Sequence, residues 1–137
     1  MTRLRKMKSD IQIPEVKDVY VAVVQEYNAE FEWNDWNAYI INDRDTEIEM
    51  VLVVSKGYDQ DRETSVIRHN VKHMPAKSYA RIELMQEGVL ALNNEFRVSF
   101  FVGNTMYDKK YVFKKNTINS KALRDIPLMR LKGVLVK

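Results

Sequence analysis

The chain reads as all-β: an antiparallel β-sandwich, immunoglobulin-like, with one short C-terminal helix. Three observations lead there. About seven to nine short segments are rich in β-branched and aromatic residues and alternate or run apolar; turn formers separate them; and no helix-period pattern joins one to the next, as a parallel sheet would require. A small barrel is the alternative architecture.

Residues 47–54, Glu-Ile-Glu-Met-Val-Leu-Val-Val, organise the rest. Ile48, Met50, Leu52 and Val54 share one parity and Glu47 and Glu49 the other, the period-2 signature of a strand with one buried face. From Val51 onward both faces are apolar, which fits a central strand with a neighbour on each edge.

The remaining segments follow in order. Residues 1–9 form a flexible basic arm, and residues 10–137 the sandwich domain. Ile11-Gln12-Ile13-Pro14 reads as a short edge strand, because Pro14 cannot donate to a ladder. In residues 19–27, Val19, Val21 and Val23 lie on one face and Tyr20, Ala22 and Val24 on the other, so this strand is expected to be covered on both sides. Residues 36–41 give the next strand, and Asn42-Asp43-Arg44-Asp45 turns it into residues 47–54 as an antiparallel neighbour. Residues 56–63 are a polar loop, and residues 65–72 an edge strand. Residues 78–85 alternate, with Ala80, Ile82 and Leu84 inward and Tyr79, Arg81 and Glu83 outward. Residues 87–94 make a helical turn or tight loop. Phe96, Val98, Phe100 and Val102 supply the next inward row, Gly103-Asn104-Thr105 a hairpin turn, and residues 107–114 the return strand with Tyr111 and Phe113 on one face. Residues 121–129 are the helix candidate, with Asn119 or Ser120 as N-cap and Pro127 limiting its length, before a last strand at residues 133–136.

Composition narrows the function classes. The chain of 137 residues holds no cysteine, which removes disulfides, thiol nucleophiles and thiolate metal sites and suits a reducing compartment. The basic start lacks the apolar run of a signal peptide and no stretch could span a bilayer, so the cytoplasm is the expected location and a membrane is not an expected partner. The net charge of +3 conceals a division: residues 1–8 carry +4, residues 109–137 carry +8, and the body between them −9. The four glycines are too scattered for a phosphate loop, a dinucleotide fingerprint or a nucleophile elbow, so catalysis is not expected and no cofactor is implied.

Four clusters bear on binding. His69 and His73 share one strand face, but lack a fixed third ligand and have Arg68 and Lys72 as neighbours, so they read as water-facing edge residues and no metal is expected. Asp59, Asp61 and Glu63 imitate the start of a calcium loop, yet Thr64 and Asn70 stand where its glycine and closing glutamate belong. Trp33 and Trp36, with Tyr27 and Phe31, are interleaved with Glu26, Glu30, Glu32 and Asp35; buried they are sandwich core, the favoured reading, and exposed they are a contact surface. Lys109, Lys110, Lys114 and Lys115 flank Tyr107, Tyr111 and Phe113, which is a single-stranded nucleic-acid footprint or else charge lying against an acidic body.

Five blocks, Asp18-Val19-Tyr20-Val21-Ala22, Asp35-Trp36-Asn37-Ala38-Tyr39, residues 50–59, Pro75-Ala76-Lys77-Ser78-Tyr79-Ala80 and residues 114–119, resemble a small bacterial family of β-sandwich domains without assigned activity. Some members of that family carry the label of phenylalanyl-tRNA synthetase alpha subunit. The arginine motif and glycine-rich motif of a class II synthetase cannot be drawn on this chain, so no catalytic residue carries over. The resemblance implies a stand-alone domain. The expected function is therefore a non-enzymatic protein-interaction module, with Trp33, Trp36, Lys109, Lys110, Lys114 and Lys115 as candidate contacts. A nucleic-acid or translation-associated module is the alternative, and an enzyme with an unrecognised site the third reading.

Overall fold

A computed structural model describes residues 14–137; the arm at 1–9 and the edge strand expected at 11–13 lie outside the described residues. Among the described residues nine strands form two antiparallel sheets. They are β1 (Val19–Asn28), β2 (Trp33–Asn42), β3 (Ile48–Tyr58), β4 (Ile67–Met74), β5 (Ser78–Met85), β6 (Asn93–Val102), β7 (Thr105–Phe113), β8 (Arg124–Asp125) and β9 (Lys132–Val136), with one helical turn, α1 (Glu87–Leu90), between β5 and β6. One sheet runs β5-β2-β1-β9-β8 and the other β4-β3-β6-β7.

The two sheets share one apolar cluster. Val21 and Val23 of β1 and Ala38 and Ile40 of β2 meet Val51 and Val53 of β3, Phe96, Val98 and Phe100 of β6, and Tyr111 and Phe113 of β7. Phe96 and Phe113 meet edge to face at 5.8 Å, while Phe100 and Tyr107 stack at 5.1 Å. The outer face of β1 and β2 is covered as well. Ala22, Val24 and Ile41 pack with Ile126 of the β8–β9 connection, so both faces of β1 are dry, as its two apolar parities require. The β6–β7 hairpin places Gly103 at φ +59 in the first central position of a two-residue turn, where a type II′ turn needs it.

Several sequence expectations are corrected. β3 is central, between β4 and β6, but its parity changes partway. Buried Ile48 is followed by exposed Glu49 and Met50 before the buried row resumes at Val51, Val53 and Ser55. The cause is a bulge: the register against β6 shifts between Glu49 and Leu52, and Met50 takes φ +50, so Met50, Leu52 and Val54 face away from the shared core. A second bulge, opposite Ala38 and Tyr39, flips the end of β5, so that Glu83 points inward and Leu84 outward. β2 and β3 are not hairpin partners; they belong to different sheets. Fully buried Asn42 organises that crossover by donating from Nδ2 to the carbonyls of Thr46 at 3.1 Å and Pro75 at 2.8 Å.

The C-terminal helix expected at 121–129 is reduced to a 3-10 turn at Ser120–Ala122. Asn119 does cap it, accepting from the amide of Lys121 at 2.9 Å. Pro127 forces Ile126 away from helical backbone, and Arg124 and Asp125 are taken up in pairing with Gly133 and Lys132.

Candidate functional site

The tip of the β1–β2 hairpin is built on one asparagine. Asn28 Oδ1 accepts the amides of Glu30 at 3.1 Å and Phe31 at 3.3 Å, and its Nδ2 donates to Asp35 Oδ2 at 2.9 Å. Asp35 Oδ1 in turn accepts the indole N–H of Trp33 at 2.9 Å, and the Trp33 ring stacks on Phe31 at 5.1 Å. The aromatic group is therefore held in place from below yet open to solvent: Tyr27 is 66% exposed, Phe31 57% and Trp33 56%. This overturns the favoured reading of the cluster as core. Only Trp36, on the inner row of β2 opposite Met85, packs against the shared core.

Trp33 and Trp36 converge on one groove. It encloses about 470 Å³ and is lined by both indoles, Leu84, Met85 and Leu90, with Asp35 and Glu87 among its polar walls. The bulge in β5 creates part of this surface by turning Leu84 outward, where it is 43% exposed. Among the described residues no basic side chain lines the groove, and the adjacent loop adds exposed Glu30 and Glu32. On the neighbouring outer face Glu26 accepts the hydroxyl of Tyr39 at 2.7 Å and the amide of Asn37 at 3.0 Å. Burial, reinforced by that bond, pushes the Tyr39 hydroxyl up to about 12.

The four lysines do not converge. Lys109 lies on the inner row of β7 with its Nζ 5.0 Å from the centre of the Tyr111 ring, whereas Lys110 is on the opposite face, 3.9 Å from Glu95. Lys114 and Lys115 are exposed in the turn beyond β7, whose backbone is fixed by Asn93 Oδ1 accepting from the Lys115 amide at 3.0 Å.

One of the two histidines differs from expectation. His73 is exposed and pairs with Glu47, but His69 is half-buried, with Nε2 lying 3.8 Å from Glu83 Oε1. Among the described residues no set of three or more His, Asp or Glu side chains converges on a metal position. In the loop after β3, Asp59 serves the chain itself, accepting the amides of Asp61 and Arg62 and the Arg62 guanidinium, which hold its carboxyl below the usual range.

Sequence reasoning located Trp33 and Trp36 but missed Leu84, Met85 and Glu87. Strict alternation places Leu84 inside, and α1 gives Glu87 no pattern of its own. Among the described residues no helix is long and apolar enough to cross a membrane. No protein-family model, no curated protein and no solved structure matches the chain.

Proposed function

We propose that this chain is a non-enzymatic protein-interaction module of immunoglobulin-like β-sandwich architecture, acting in the cytoplasm and belonging to the small bacterial family that it resembles. Its docking site is the groove between Trp33 and Trp36. The observation that carries this reading is the exposed Phe31–Trp33 stack, fixed by Asp35 and continuous with a groove that is apolar in its walls and acidic in its polar groups. Rigid aromatic area of this kind supplies binding energy at low entropic cost, and carboxylates around it select the partner. The partner is a protein segment that carries lysine or arginine beside an apolar anchor, since a cation over an indole and next to a carboxylate gains from both. Against the nucleic-acid alternative stands the division of the lysines over separate surfaces.

The test uses the two tryptophans, which are the only ones in the chain and both line the groove. The wild type and Trp33→Ala, immobilised in parallel, should differ in the proteins they retain from a native lysate. A retained partner should change the tryptophan emission of the wild type, and bind Trp33→Ala at least about tenfold more weakly, about 1.4 kcal/mol. Equal retention by both proteins would sink the proposal.

A further inference from the structure

β5 breaks its own pattern at an unfavourable point. Continued alternation would bring Leu84 into the space between the sheets; the bulge instead places Glu83 opposite Ala38 on the inner face and leaves Leu84 exposed. Stability alone favours the reverse, because a carboxylate loses its hydration there and a leucine forfeits its burial. A local rule broken twice in one turn of chain is expected where a site is being built.

What surrounds Glu83 is consistent with an unfilled demand for positive charge. Its Oε1 accepts the hydroxyl of Ser55, a residue 4% exposed on β3. His69 Nε2, 3.8 Å away, is buried without a hydrogen-bond partner. Among the described residues no lysine or arginine forms an ion pair with Glu83; Lys56, which borders the same cavity, is 3.4 Å from Glu63. Glu83 and Ser55 border a cavity of about 280 Å³ whose other walls include Ile67, Met85, Val89 and Phe96.

We propose that this cavity binds a small organic primary amine, its ammonium group paired with Glu83 and its apolar stem against Ile67, Met85 and Phe96. The chemistry discriminates among cations. Among the described residues a metal ion would find only His69 and Glu83 there as strong ligands. A guanidinium group binds a carboxylate best side-on through both oxygens at once, an approach with which the Ser55 hydroxyl on Oε1 competes. An ammonium ion, as a point charge, can take any free lone pair of either oxygen. The site is separate from the tryptophan groove, sharing only Met85 with it, and does not depend on that reading.

The test is a titration of the full chain with n-pentylammonium chloride, followed by backbone amide chemical shifts. The expected result is saturable shifts centred on Ser55, Glu83 and Phe96, with 1-pentanol and n-pentylguanidinium each at least tenfold weaker. Glu83→Gln, which keeps the shape and can still meet Ser55, should lose at least tenfold in affinity, while Trp33→Ala should bind as the wild type does. Equal binding of 1-pentanol would overturn the proposal without any variant. Undiminished binding to a folded Glu83→Gln would do the same, and tenfold tighter binding of Nα-acetyl-lysine amide would replace the free amine with a protein side chain.

Discussion

The hydroxyl of Tyr111, on edge strand β7 of the four-stranded sheet, donates to the main-chain carbonyl of Val19 at the start of β1 in the other sheet. Both residues are almost fully buried, so the bond ties the sheets together where no water can replace it. Tyr111→Phe leaves that carbonyl without its donor, and should cost about 1–3 kcal/mol. A lower denaturation midpoint with an unchanged m-value would fit this; an unchanged midpoint would show that the bond contributes nothing net.

Three tyrosines set an alkaline limit. Burial raises Tyr111 and Tyr20, with a hydrogen bond to Asp18 adding to the latter, and the Tyr39 hydroxyl stands at about 12. An acid that holds its proton more tightly when folded contributes stability that is complete below the unfolded value of about 10, and is lost as pH rises through the folded one. Stability should therefore fall between about pH 10 and 12, and less steeply in Tyr39→Phe. Tyrosinate absorbance that developed fully near pH 10 in protein that stays folded would contradict this.

Two glycines should respond in opposite ways to alanine. At Gly133 of β9 a Cβ would lie 2.5 Å from the Val23 carbonyl oxygen and 2.8 Å from Val24 Cα, both backbone atoms that cannot move aside. Gly133→Ala should cost about 1–3 kcal/mol or more. At Gly88 of α1 a Cβ meets nothing within 4 Å, and Gly88→Ala should be neutral or stabilising by up to about 1 kcal/mol. Thermal melts of the two variants compare the effects directly.

The lysines separate by their surroundings. Glutamate at Lys114 or Lys115, both exposed, should change stability by no more than about 0.5 kcal/mol. Lys109→Glu should lower the melting temperature, because it removes a cation from the face of Tyr111 at a site already half-buried. The wild type should show no salt-sensitive binding to a mixed-sequence oligonucleotide. Tight binding whose logarithm falls with log salt by about 0.7 per phosphate contact would instead restore the nucleic-acid reading.

Most of the strand inventory was legible because alternation is a local property. Val21 and Val23, or Phe96, Val98 and Phe100, declare their inward face wherever the pleat is regular. The errors fall where a residue breaks the pleat. Nothing about Met50 announces a positive φ, and nothing in Tyr-Ala-Arg-Ile-Glu-Leu says that Glu83 rather than Leu84 turns inward. Both depend on register against a partner strand, which the chain's own order does not carry. The turn after Asn42 misled for a related reason: its composition suits a hairpin, and only the buried amide of Asn42, bonded to Thr46 and Pro75, converts it into a crossing between sheets. At the candidate site Trp33 and Trp36 stood out as residue types, but their exposure hinges on how far the hairpin projects, and Leu84 joins them only through the bulge.

β9 sits between β1 and β8, so an interior strand of the five-stranded sheet comes from the far end of the described chain and pairs with one from near its beginning. Until residues 132–136 dock, β1 presents a bare ladder of amides and carbonyls flanked by Val21, Val23 and Val24. Closing so long a loop is entropically slow, and every strand that forms earlier must wait with that edge uncovered. The vulnerability is therefore one of timing. An edge absent from the finished fold is present in each copy still folding, and concentration during refolding will decide how many copies meet a neighbour's strand before their own.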